Sequence, residues 1–167
     1  SFTSLTTYGR NICIGYRCRT FFDGCIAIGS NTTSTYDSIA IGPNSNAQTS
    51  SVAVGFRANA FNGSTSLGSH IFEYGGVPTN QNIHIGTYHS NFGSSDILIG
   101  NRMNTFSSLG QYARTQNSIA IGNDFSGLYN NNNCVSIGNN NSVGNGGTLV
   151  TNTVVLGSSI TCSTSNT

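Results

Sequence analysis

Five carboxylates, three histidines, six arginines and five cysteines are the side chains that this 167-residue sequence offers to acid–base, metal or anion chemistry. The acids are Asp23, Asp37, Glu73, Asp96 and Asp124, each in a different stretch of the chain. Glycosidic chemistry needs two carboxyl groups within about 5–10 Å of each other, and only stacking of distant segments would bring any pair of these together. The cysteines (Cys13, Cys18, Cys25, Cys134 and Cys162) contain no CxxC pair, so the spacing of a zinc site is missing. Their odd number leaves at least one thiol free or joined to another chain. The arginines (Arg10, Arg17, Arg19, Arg57, Arg102 and Arg114) are scattered, so no basic cluster tracks a phosphate backbone. The side-chain inventory predicts no enzyme activity, no cofactor, no resident metal and no nucleic-acid partner.

Composition points to a folded β protein with a neutral surface. Charged residues make up 7% of the chain and the net charge is +1, with 21 glycines and much of the remainder Asn, Ser and Thr. A polar chain of this kind stays disordered when apolar residues are few and net charge is high. Here seven Tyr, nine Phe and many Ile and Val supply the apolar surface that disorder lacks. No apolar run approaches the roughly 18–20 residues of a membrane-spanning helix, so this segment is not expected to insert in a bilayer. The chain begins at Ser1 and shows no signal peptide, and it reads as a processed or excised piece. Three Asn-x-Ser/Thr sequons, at Asn31, Asn62 and Asn140, are what chance yields at this Asn, Ser and Thr content.

What positions these residues is a repeat. A five-residue pattern ending in glycine recurs as Cys25-Ile-Ala-Ile-Gly29, Ser38-Ile-Ala-Ile-Gly42, Ser51-Val-Ala-Val-Gly55 and Ser118-Ile-Ala-Ile-Gly122. Further copies end at Gly15, Gly68, Gly86, Gly100, Gly138 and Gly157, and degenerate ones at Gly110 and Gly144. Gly15 to Gly29 is 14 residues; Gly29 to Gly42, Gly42 to Gly55 and Gly55 to Gly68 are 13 each. Later spacings stretch, as from Gly68 to Gly86 (18 residues), and such insertions belong in the loops of a solenoid.

Alternation over five positions marks a half-buried strand, whose successive side chains face opposite ways. Glycine then turns the corner. A period of 13–14 leaves room for two short strands and two turns per coil. The pattern therefore predicts one all-β repeat domain over residues 1–167, a parallel β-solenoid of stacked coils. Roughly twelve coils about 4.8 Å apart would make a rod of about 55–60 Å. The Ile and Val residues are expected inside, as a continuous apolar ladder. The small residues at Ala27, Ala40, Ala53, Ser66, Ala120 and Ser136 are expected outside, as the face where chains meet.

The stretch Ser38-Ile-Ala-Ile-Gly42-Pro-Asn-Ser-Asn-Ala47, followed by Ser51-Val-Ala-Val-Gly55-Phe-Arg-Ala58-Asn-Ala60, resembles the head repeat of trimeric autotransporter adhesins, the YadA-like head. Similar repeats occur in viral and phage fibres. The resemblance is closest over residues 25–68 and returns at 118–122. It implies a left-handed β-roll of about 14 residues per coil, assembly as a homotrimer, and an extracellular place on a cell or virion surface. Departures from the pattern include His84 and Leu98 at positions where the repeat prefers Ala or Ser, and no neck, heptad stalk or anchor barrel follows the repeats.

On this frame the chemistry-bearing residues acquire places. His84 falls on the small face. If that face meets a threefold axis, three imidazoles converge and hold an anion or a metal; if the coil bulges there, His84 meets solvent. Tyr88, His89 and Phe92 follow Gly86, and Phe72 and Tyr74 precede it. These aromatics would form a shelf for a sugar ring, or else cap the coil core. Arg17, Arg57 and Arg102 each stand two residues after a repeat glycine, as solvated charges. The resulting expectation is a structural or adhesive fibre segment that self-associates and meets a host glycan or matrix protein. A filament subunit that stacks end to end without a receptor is the main alternative, since nothing at Asn11 or after Gly157 blocks further pairing. A monomeric ice-binding solenoid fits less well, because no Thr-x-Thr ladder recurs in register.

Overall fold

The computed structural model describes residues 9–73, 81–91, 94–104, 117–127, 132–144 and 150–163; Tyr74, Phe92, Gly110 and Arg114 lie outside them. Among the described residues there is no helix, and each recorded strand pairing is parallel. The chain is an all-β parallel solenoid, as the repeat predicts. It divides into two compact units, Ser1–Gln81 and Asn82–Thr167.

In the first unit the strands are β1 (Ile12–Ile14), β2 (Arg19–Phe21), β3 (Ile26–Ile28), β4 (Thr33–Thr35), β5 (Ile39–Ile41), β6 (Asn46–Gln48), β7 (Val52–Val54), β8 (Asn59–Phe61) and β9 (Thr65–Glu73). Odd-numbered strands stack as one sheet with like residue over like: Ile12, Ile26, Ile39, Val52 and Thr65 are successive partners. Even-numbered strands stack as the opposite wall, with Thr20, Ser34, Ala47 and Ala60 in register.

The second unit contains β10 (Ile83–Asn91), β11 (Ile97–Asn101), β12 (Ile119–Asn123), β13 (Ser126–Gly127), β14 (Val135–Asn139), β15 (Ser142–Val143), β16 (Val154–Leu156) and β17 (Thr161–Cys162). Its main sheet runs β10-β11-β12-β14-β16, and its shorter wall runs β13-β15-β17. Gly144 does not close a coil of its own. It follows β15 in the second half of the coil that turns at Gly138.

The turn after each main-sheet strand explains why the pattern ends in glycine. Gly42 has φ 121° and Gly100 has φ 139°, where side-chain-bearing residues are strained. A Cβ on Gly100 would also run into the carbonyl oxygen of Gly122 in the next coil. The residue two places on is left-handed as well, as at Arg17 (φ 52°), Asn31 (φ 54°) and Arg57 (φ 55°).

The structure reverses the expected faces. Ala27, Ala40, Ala53 and Ser66 are fully buried, and Ala120 and Ser136 nearly so, inside the coil of a single chain. They are core, not a surface on which chains meet. The Ile and Val residues point outward, with Ile121 37%, Ile137 42% and Leu156 63% exposed. Coil width decides this. In a 13-residue coil the facing walls of three-residue strands lie so close that Ala40, Ala53, Ala47, Ala58 and Ala60 fill the space between them. An isoleucine there would overpack it. Where coils lengthen, as in the 22 residues from Gly100 to Gly122, the interior admits Leu98, Met103, Phe125, Val143 and Val150.

Where position four before the glycine is Asn or Asp, its side chain ties one coil to the next. The side-chain oxygen of Asn11 accepts the Cys25 N–H (2.9 Å), that of Asn82 the Asp96 N–H (2.9 Å), and that of Asp96 the Ser118 N–H (2.9 Å). Each bond satisfies a backbone donor that the narrow core could not hydrate.

Candidate functional site

The main sheet carries the most distinctive surface. In the first unit Ile12 (48% exposed), Ile14 (55%) and Leu67 show their side chains to solvent, and Ile26, Ile28, Ile39, Ile41, Val52 and Val54 are half-buried along the same face. In the second unit Ile83, Ile85, Ile121, Ile137, Val154 and Leu156 form the corresponding stripe. β-Branched side chains favour a pleated strand, which accounts for their place on it but not for leaving them in water. Contiguous apolar patches of this kind mark interaction surfaces in soluble proteins.

His84 sits neither on a threefold axis nor in solvent. It is fully buried in β10, paired in register with Leu98. Its Nε2 accepts a hydrogen bond from Asn91 Nδ2 (3.1 Å), and its ring meets that of His89 edge to face at 5.8 Å. Burial first, and the His89 ring second, pull its pKa down to about 3. His89 is buried as well, its Nε2 donating to the Gly100 carbonyl (2.8 Å); burial lowers its pKa, while that carbonyl opposes the shift. Among the described residues no cluster of three His, Cys, Asp or Glu could hold a metal ion.

Both imidazoles are therefore neutral in the fold. Unfolded histidine takes up a proton near pH 6.5, so stability is complete above that pH and falls as pH drops from 6.5 towards 3. His84 contributes a slope approaching about 1.4 kcal/mol per pH unit in that window, and His89 adds to it in the same direction. The expected result is a melting temperature that declines from pH 7 to pH 4 and a flatter decline in His84→Leu, the residue already accommodated at Leu98. Equal slopes in the two proteins would contradict the buried pair.

Of the aromatics expected as a shelf, Phe72 is exposed in β9. Tyr88 is 60% exposed, but His89 turns inward, and Phe92 and Tyr74 lie outside the described residues. The carboxylates are dispersed in role. Asp96 is a buried acceptor for backbone. Asp124 is ion-paired with Arg102 Nε at 2.6 Å on the surface, an arrangement worth under about 1 kcal/mol. Asp23 and Asp37 share one exposed corner in successive coils, where the Asp37 N–H donates to the Asp23 carbonyl (3.2 Å).

Cys13 and Cys18 form a disulfide, with Cα atoms 5.8 Å apart. Cys13 holds the core position that Ala27 and Ala40 hold in later coils, so the bridge closes the first coil across its interior. Spacing alone did not reveal this pair; the signal was a cysteine standing where the repeat has alanine. Cys25, Cys134 and Cys162 are buried thiols outside any disulfide, and burial pushes the Cys134 pKa up, away from the reactive thiolate.

The fold and these sites define a parallel β-solenoid with an apolar outer stripe, its core built of small residues in the first unit and of larger ones in the second. No family model, curated protein or solved structure matches the chain.

Proposed function

We propose that the chain is a segment of an extracellular fibre or adhesin head that associates with two further copies of itself and acts by attachment and assembly, with no catalysis. The observation that carries the reading is the outward Ile/Val ladder of the main sheet. Its occupant is a second copy because the stripe suits itself. Parallel stacking places like residue over like, and the positions one and three before each glycine hold Ile, Val, Leu or Thr and no charge. Identical copies therefore meet without like-charge repulsion, and isologous or cyclic contact is the usual form of self-association.

Energetics favour the same reading. Alanine and serine inside a 13-residue coil supply little apolar burial, whereas each Ile or Val covered on the outer face contributes up to about 1.5–3 kcal/mol. The threefold count comes from the resemblance of the repeat to trimeric adhesin heads. The Cys13–Cys18 disulfide supports an oxidising, extracellular setting. Sedimentation equilibrium of the chain should give about three times its 17.5 kDa mass. A concentration-independent mass of one chain at micromolar protein would overturn the proposal.

A further inference from the structure

A second surface lies on the opposite wall of the first unit. Arg17, in the turn after Gly15, and Arg19, the first residue of β2, stand two residues apart, and with Asn31 and Thr33 of the next coil they line a groove of about 190 Å³. Arg19 and Thr33 are register partners across the β2–β4 ladder, and Asn31 occupies the same turn position as Arg17 one coil on. Both guanidinium groups are exposed, and among the described residues neither has a carboxylate partner. The carboxylates of these coils, Asp23 and Asp37, belong to the turn at the other end of β2. A third of the chain's cations are thus concentrated, unneutralised, within three residues.

Two aromatic rings neighbour the arginines of the groove. The Arg17 guanidinium lies 5.2 Å above the centre of the Tyr16 ring, and Tyr16 is 55% exposed. Phe21, 38% exposed, shares the outward face of β2 with Arg19. Arg17 also holds a left-handed turn (φ 52°) that Asn occupies more comfortably, as Asn31 and Asn44 do.

We infer that this groove binds an acidic saccharide, its carboxylate or sulfate held by Arg17 and Arg19 and its ring lying against Tyr16 or Phe21. Paired planar guanidiniums match the oxygens of a carboxylate or sulfate. The Asn31 amide and Thr33 hydroxyl supply the partners that sugar hydroxyls need. At about 190 Å³ the groove falls below the roughly 300–1,000 Å³ of a site that encloses a whole ligand. It takes one charged group while the rest of the glycan runs over the wall. The Ile/Val ladder is on the other sheet, so the site stays open whether or not chains associate.

The test is calorimetric titration with three probes: a heparin tetrasaccharide, sialyllactose and lactose. Binding of the tetrasaccharide alone assigns sulfate, and binding of sialyllactose alone assigns carboxylate; either result, or both, supports the site if lactose does not bind. The double substitution Arg17→Gln, Arg19→Gln should weaken that binding about tenfold or more. Arg57→Gln serves as control, because Arg57 lies over Phe56 in the same way (5.1 Å) but has no second arginine beside it. It should leave affinity unchanged. Circular dichroism confirms that each variant is folded. No binding of either acidic probe at millimolar concentration, or equal loss in Arg57→Gln, or binding that survives the double substitution, overturns the proposal.

Discussion

Replacing Gly100 with alanine should unfold the second unit at temperatures where the parent is intact. Two costs add at this residue. Its φ of 139° lies in a region that glycine enters freely and other residues enter at about 1–3 kcal/mol. The new methyl would also overlap the Gly122 carbonyl of the next coil, and backbone held by hydrogen bonds on both sides cannot yield as a flexible side chain would. A combined loss of about 3–5 kcal/mol is expected, or a melting temperature lower by about 10 °C or more. Gly63 supplies the comparison. Its φ is 80°, but a methyl there would find only Gln81 Cγ at 3.7 Å, so Gly63→Ala should cost about 1–2 kcal/mol of strain alone. Similar melting temperatures for the two variants would mean that coil contact does not explain the repeat glycine.

The second large effect separates the two faces of one strand. Ala40 and Ile41 are neighbours in β5, the first fully buried and the second half-exposed. Ala40→Asp places a carboxylate between Ala27 and Ala53, in a core of alanines and serines whose hydroxyls are already engaged by backbone. An unpaired charge or a forced proton uptake at such a site costs about 3–5 kcal/mol, enough to open the coil. Ile41→Asp leaves the carboxylate in water on the single chain and should retain the β-sheet circular dichroism spectrum. Its penalty falls on association. Loss of the spectrum in Ile41→Asp with retention in Ala40→Asp would restore the opposite assignment of faces.

The period, the strands and the parallel stacking were legible from the chain because each rests on local chemistry. Gly29, Gly42, Gly55 and Gly68 recur at a fixed spacing, and Ile-Ala-Ile alternates with the two-residue period of a strand. Alternation says that one face is covered, but not which. Hydrophobicity argued for Ile39 and Ile41 inside, and a global quantity, the width of a 13-residue coil, overruled it. A hint was present: Ala40 shares its parity with Gly42, the position where no side chain fits at all. The buried His84–His89–Asn91 group was beyond reach for the same reason, since His84 stands at the small-residue position of the strand, paired in register with Leu98, and that face had been expected to point outward. Arg17 and Arg19 looked scattered along the chain. Only the turn after Gly15 and the stacking of Asn31 and Thr33 beside them make a groove.

The reversed faces and the proposed self-association meet in a single quantity, the mass of Ile41→Asp beside its parent in sedimentation equilibrium. The outward ladder predicts an assembly of three chains for the parent and a folded single chain of 17.5 kDa for the variant. A folded variant that keeps the mass of the parent assembly would show that chains meet on some other surface, and would contradict the central claim.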